Sequence, residues 1–288
     1  MTIRDLFKEE YDLSKPEFDY RPNRPLQLCR LTGRNLLALA IIIIIWYAMA
    51  IWVMYSRGVE FPTPLDTFIR LWHLLRGENL YEYSIYKHLL NSLYRWGIGY
   101  LLAVIVGLAL GILLGVSRLF NDVIMPTVLV IQLIPGLAWI PIALLLFGIG
   151  DTSTIFMIFI TALAPIVINT SGGMRGVPKM YVKAAEMMGA SKPRIFLQVM
   201  LPASTLSIIN GLRIGLANGW RVLIAAEMIV GVGLGLGYSI IQARWSLDFE
   251  AAFVCIAIIC IIGLLIEKVV FVVIERRITE KMGFADER

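Results

Sequence analysis

One apolar stretch, residues 205–230, carries Asn210, Arg213, Asn218, Arg221 and Glu227. A guanidinium at mid-membrane depth costs about 2.5 to 3.5 kcal/mol on the insertion scale, against about 0.3 to 0.6 returned by each Leu, Ile or Val. Such a face turns toward protein, water or a solute rather than lipid. Arg213 and Arg221 are eight residues apart, about 80° around a helix, and so share one broad face. Two readings stay open: either Arg meets an anionic solute, or a carboxylate or the C-terminal carbonyls of another helix satisfy it.

Other chemistry is thinly represented. The two histidines, His73 and His88, lie in one polar segment without the paired acids or HExxH that a membrane-embedded enzyme needs. Cys29, Cys255 and Cys260 form neither a CxxC nor a metal-ligand pattern and read as small core residues. There is no GxxxxGK[ST] loop, so any ATP hydrolysis is expected in a separate subunit. Gly231, Gly233, Gly235 and Gly237 in "GVGLGLGYS" lack the frame of a potassium filter and the strand of a dinucleotide loop. They read as an outer turn or re-entrant loop, a candidate gate.

The elements that must position these residues are membrane helices. Apolar residues make up 58% of the 288, charged residues 16%, and mean hydropathy is +0.77, beyond a soluble globular domain. The net charge of +5 suits orientation in a bilayer better than nucleic acid, since no basic stripe is interleaved with aromatics. Six segments reach the length needed to cross the hydrocarbon: 35–55, 93–115, 123–148, 153–171, 205–230 and 252–274. The basic run before the first, with no cleavage site after it, is expected to make a retained signal anchor.

With the N-terminus inside, the inner segments hold 17 Lys and Arg and the outer ones 5. Both termini are therefore expected in the cytoplasm. The expected layout is a cytoplasmic arm over 1–34, loosely ordered or surface-lying over 1–30, a first span over 35–55 and an extracytoplasmic segment over 56–92. A five-helix core over 93–275 and a cytoplasmic tail over 276–288 follow. Within 56–92, Leu65, Phe68, Ile69, Trp72 and Leu75 have helical spacing, which suits an amphipathic helix on the outer leaflet or one packed on its neighbours. In the 123–148 segment Pro126, Pro135 and Pro141 are expected to bend or interrupt the helix. Gln132 and Trp139 near that break, with Thr161 and Asn169 of the next helix and Asn218, Arg221 and Glu227, are the candidate pathway residues.

The longest polar-rich stretch of the second half, "YVKAAEMMGASKPRIFLQVMLP" from Tyr181 to Pro202, falls on the cytoplasmic side. Gly176 and Pro178 precede a short helix over about 179–188, Gly189 is placed to end it in the left-handed conformation, and Ser191 is placed to cap a second that Pro202 stops. Ala184 and Ala185 leave the backbone approachable, while Tyr181, Val182, Met187 and Met188 offer apolar contact, as suits a helix that enters a groove.

Ala184-Ala185, three residues, Gly189, nine residues, Val199, one residue and Leu201-Pro202 resemble the EAA loop of ABC importer permeases. "IPGLAWIPIALLLFGIG", "PIVINT", "LPASTLSIINGLRIGLANGW" and "LIAAEMIVGVGLGLGY" are similar to the nitrate, sulfonate, taurine and bicarbonate class of that family. The resemblance runs from about Phe61 to the C-terminus. It implies an all-α integral membrane protein with about six spans, the type I (MetI-like) fold, and a coupling helix in the loop 176–202 seated in an ATPase cleft. Tyr181, Val182, Lys183, Ala184, Ala185, Glu186, Met188 and Gly189 are then the coupling residues. Lys183 departs from the pattern, which has Glu there. The implied partners are cytoplasmic ATPases that bind ATP and Mg, an extracytoplasmic solute-binding protein, a second permease copy and membrane lipid. The competing reading is a passive channel, which leaves the loop's spacing without a purpose.

Overall fold

The computed structural model describes residues 24–268 apart from Val232. The expected C-terminal tail, the end of the last expected span and residues 1–23 of the arm lie outside the described residues. The chain divides into two compact units, residues 1–64 and 65–288.

The first unit is built on helix α1 (Arg24–Arg57). No Pro or Gly falls between Asn35 and Arg57, and the helix ends at Gly58, whose φ of 61° lets its N–H close on the Met54 carbonyl. The helix begins well before residue 35, so residues 24–34, expected to belong to the arm, are helical: backbone hydrogen bonding propagates upstream of the apolar run that nucleates it. Residues 37–57 are apolar almost all round, with Ile42, Ile44, Ile45 and Trp52 exposed, and 21 residues span about 30 Å. The Trp46 indole N–H donates to the Pro62 carbonyl at 2.9 Å, tying the following loop to the helix.

The second unit starts with α2 (Pro64–Leu75), then a tight hairpin of β1 (Asn79–Leu80) and β2 (Tyr83–Ser84), antiparallel with Asn79 opposite Ser84. The long helix α3 (Ile85–Val116) follows, beginning eight residues before the expected span. After it come α4 (Arg118–Leu133), a 3₁₀ turn (Gly136–Trp139) and α5 (Ile140–Phe147), which together form one segment bent by 104°. The bend falls at Pro135; Pro126 stays inside α4, and Pro141 sits in the first turn of α5, where its missing N–H costs nothing. The remaining elements are α6 (Asp151–Arg175), α7 (Lys179–Met187), α8 (Lys192–Ile195), a π-helical turn (Phe196–Met200), α9 (Leu201–Val230), α10 (Leu236–Ser246) and α11 (Phe249–Ile266). Counting the bent segment as one, six segments among the described residues are long and apolar enough to cross a bilayer, in line with the six expected.

The centre of this unit is α6. From Ala162 to Val167 every residue is buried, including Pro165. On one side α3 presents small residues four apart, Gly99, Ala103, Gly107, Gly111 and Gly115; on the other α9 presents Gly211, Gly215 and Gly219. A Cβ at Gly111 would stand 2.6 Å from Thr170 Cβ, and one at Gly215 2.9 Å from the Ala162 carbonyl. Both neighbours thus approach α6 at backbone range, the packing that small residues permit where hydrophobicity supplies no drive between helices. A separate cluster of Leu74, Leu80, Ile85, Leu236, Ala243, Ala251 and Val254 joins α2 and the hairpin to α10 and α11.

The apolar stripe expected of α2 faces outward. Leu65, Phe68, Ile69, Trp72 and Leu75 are exposed, while Thr67 and Leu74 are buried. Leu74 packs into the cluster and orients the helix, and Arg70 reaches Asp248 and Glu78 at 3.5 and 3.7 Å.

Gly111→Leu is expected to destabilise the protein by about 1 to 3 kcal/mol through overpacking against Thr170. Gly97→Leu, on the same helix with open space at its Cβ, should leave the thermal unfolding midpoint in detergent nearly unchanged.

Candidate functional site

The loop 176–202 takes the expected helix, turn, helix form in its first half. Pro178 precedes α7, and the Tyr181 N–H closes on its carbonyl at 3.1 Å. Gly189, with φ 75°, donates to the Glu186 carbonyl at 2.9 Å, and the Ala190 N–H donates to that of Ala185 at 3.0 Å. This pair of bonds is the Schellman closure that glycine at this position favours. Val177 and Ile195 are buried and anchor the loop, whereas Met180, Tyr181, Met187 and Met188 are exposed. Lys183, Glu186 and Gly189 are also exposed; Val182, Ala184 and Ala185 are half-buried.

The second half departs from expectation. The Ser191 side chain makes no cap, and Pro202 does not stop the helix: α8 runs through the π turn directly into α9. The widened turn, in which the Leu201 N–H bonds to the Phe196 carbonyl, absorbs the proline, whose absent N–H would otherwise leave a gap in the ladder.

The polar residues along α6 and α9 meet in pairs. Asn210 Nδ2 donates to Asn169 Oδ1 at 3.1 Å, and Asn169 Nδ2 to the Pro165 carbonyl at 2.8 Å. Farther along α9, Arg221 Nη2 donates to Asn218 Oδ1 at 2.6 Å and its Nε to the Ala217 carbonyl at 3.1 Å. Arg221 is exposed and has no acidic partner among the described residues, whereas Arg213 pairs with Glu267 at 2.8 Å. The break in the bent segment packs against both helices at Gly136, where a Cβ would strike Val222 and stand 3.4 Å from Thr161 Oγ1. Trp139 packs edge-on to Phe156, with ring centroids 6.4 Å apart, and Thr161 donates to the Met157 carbonyl at 2.7 Å. Gln132 is exposed on α4.

Glu227 lies apart from these, with no exposed surface, in a polar cluster at the end of α9. Arg95 of α3, 2% exposed, donates through Nη1 to Glu227 Oε1 at 2.8 Å and to the Leu234 carbonyl at 2.7 Å. Its Nε and Nη2 both reach Asp151 Oδ1 at 2.8 Å. One guanidinium therefore joins α3, the first residue of α6, the end of α9 and the glycine turn. Ser92 Oγ lies 2.8 Å from both Glu227 oxygens and accepts the Leu236 N–H at 2.9 Å; the Gly237 N–H donates to Glu227 Oε2 at 3.0 Å. His88 Nε2–H donates to the Leu80 carbonyl at 3.2 Å, which leaves Nδ1 to accept the Gly235 N–H at 3.2 Å. The buried charges are thus paired and their remaining valences hydrogen-bonded, the condition under which an ion pair survives desolvation. Arg95 and Asp151 escape a search for mid-span charges because both stand near the ends of their apolar runs.

Residues 103–280 match the family described as binding-protein-dependent transport system inner membrane component. The chain belongs to that family. It is the membrane-spanning permease subunit of an ABC importer, and its relatives are permeases rather than enzymes. This permease is 34% identical over 239 residues to the nitrate import permease protein NrtB of Synechocystis sp., covering 82% of this chain and 85% of that one. It is 31% identical to the taurine transport system permease protein TauC of Escherichia coli over 80% of this chain and 82% of that one. Its fold matches a chain of the inward-facing MetNI methionine ABC transporter with a TM-score of 0.57 at 22% identity, over 72% of this permease and 97% of that chain.

Arg95→Ala strands Glu227 as an unpaired buried charge and is expected to cost about 3 to 5 kcal/mol. Asp151→Asn, at a half-exposed position, is expected to cost under about 1 kcal/mol. Thermal unfolding of the two purified variants in detergent checks the order.

Proposed function

We propose that this permease carries a small anion across the cell membrane by alternating access, driven through the loop 176–202 by a separate ATPase. The observation that carries the reading is the exposed, Schellman-closed α7. Its small Ala184 and Ala185 leave the backbone open to approach, and Met187 and Met188, more than four-fifths exposed, supply an apolar contact without a partner among the described residues. The preponderance of Lys and Arg in the segments on that side supports a cytoplasmic location for the loop and both termini. Lys183 and Glu186 lie on the same exposed stretch, so a charge contact with the ATPase there differs in sign and position from the family's pattern.

An anion as solute is supported by Arg221, exposed and without an acidic partner among the described residues, and by the nitrate and taurine named for the two permeases above. Asn218 orients the guanidinium; Thr161 and Trp139 flank the break in the bent segment where it meets α9, Asn169 stands two turns away beside Asn210, and Gln132 is exposed on α4. A second copy of the permease completes the pathway, an extracytoplasmic binding protein delivers the solute, and the ATPase holds ATP and Mg. A passive channel has no use for the loop, and membership of an importer family counts against it.

Gly189→Arg forces a bulky side chain onto a left-handed backbone at the loop's turn. It is expected to leave the protein inserted while abolishing solute-stimulated ATP hydrolysis in the reconstituted complex; retained stimulation removes the loop from coupling. Arg221→Gln is expected to raise the concentration of anion giving half-maximal uptake at least fivefold, and unchanged apparent affinity in an assembled complex removes Arg221 from the solute site.

A further inference from the structure

Three successive backbone N–H groups at the start of α10 are each taken by a side chain of another helix. Gly235 donates to His88 Nδ1, Leu236 to Ser92 Oγ and Gly237 to Glu227 Oε2. The first N–H groups of any helix lack partners within it and carry the positive end of its dipole. Here the capping position is a glycine, so α10 has no side chain of its own to use. It borrows His88 and Ser92, one turn apart on α3, and a carboxylate from α9. Arg95, three residues beyond Ser92, holds that carboxylate and also the Leu234 carbonyl just before the helix.

The turn itself contributes little restraint. Gly233 and Gly235 have φ of 66° and 132°, and a Cβ at Gly235 would stand 2.5 Å from Glu227 Cδ, so the carboxylate occupies the space a larger residue needs. We propose that His88, Ser92, Arg95 and Glu227 are positioning residues for transport, which hold the glycine turn and the start of α10 in one place at the end of α9. Arg221 lies six residues before Glu227 on the same helix, so α9 joins the turn directly to the guanidinium proposed above to meet the solute. It cannot swing away without parting the Leu234 carbonyl from Arg95 and exposing three N–H groups together.

The functional half rests on the importer reading. The test is residue-resolved hydrogen exchange on the permease in complex with its ATPase, with uptake of nitrate, taurine and bicarbonate into proteoliposomes measured per ATP hydrolysed. His88→Ala, Ser92→Ala and Glu227→Gln are each expected to speed exchange at least tenfold, first at Gly235, Leu236 and Gly237 respectively. Solute moved per ATP should fall at least fivefold, and Arg95→Lys should fall between wild type and Glu227→Gln. Exchange that rises uniformly along α10, or loss of assembly in Ser92→Ala, points to a fold-wide structural role and overturns the proposal. Wild-type exchange or uptake in Glu227→Gln also overturns it. A wild-type complex that carries none of the three anions counts against the anion reading alone, and the exchange map then decides the positioning role.

Discussion

The close approach of α3 and α9 to the two sides of α6 is the constraint on which the rest of the second unit depends. Small residues at every fourth position let main chain meet main chain, and the contacts run from Ile158 to Met174 along α6. At that range a guanidinium on α3 can reach a carboxylate on α6 and another on α9 without stretching. The Arg95 cluster is therefore a product of the packing as much as of its own attraction. Gly99 and Gly219, which both meet Ile158, are the members of the two rows nearest that cluster.

Much of this was legible in the sequence because length, hydropathy and punctuation are local properties. The six spans, the break at Pro135 and the Gly189 turn all follow from rules that act within a few residues. What escaped depended on partners distant in the chain. The period of α2 leaves its stripe free to face lipid or a neighbouring helix, and only the burial of Leu74 against the hairpin, α10 and α11 decides for the outward side. Pro202 carries a stop signal, but a widened turn just before it lets the helix continue. The spacing of four among the α3 glycines is visible to the eye, though only the structure tells which helix it meets. Helix α1 begins earlier than its apolar run because a helix grows past the residues that require it.

The charged residues of α9 divide by what satisfies them. Arg213 has Glu267 and Glu227 has Arg95, both from other helices, so each is a fastening. Among the described residues Arg221 is held by its own helix alone, through Asn218 and the Ala217 carbonyl, which aims the guanidinium without neutralising it. A charge that is oriented but not cancelled is what recognition of an opposite charge requires. The same helix thus carries structural and unassigned charge at different levels, and composition could not separate them.

From Lys192 to Val230 the chain runs as one apolar helical segment of 39 residues, about 58 Å at the α-helical rise, broken in register only by the π turn. It begins at the exposed loop and passes Asn210, Arg221 and Glu227 in order. A stiff rod of that length has no need of a relay of side chains between its ends. Its one change of register, the π turn, lies beside the exposed loop, and its far end is fastened at Glu227 to Arg95.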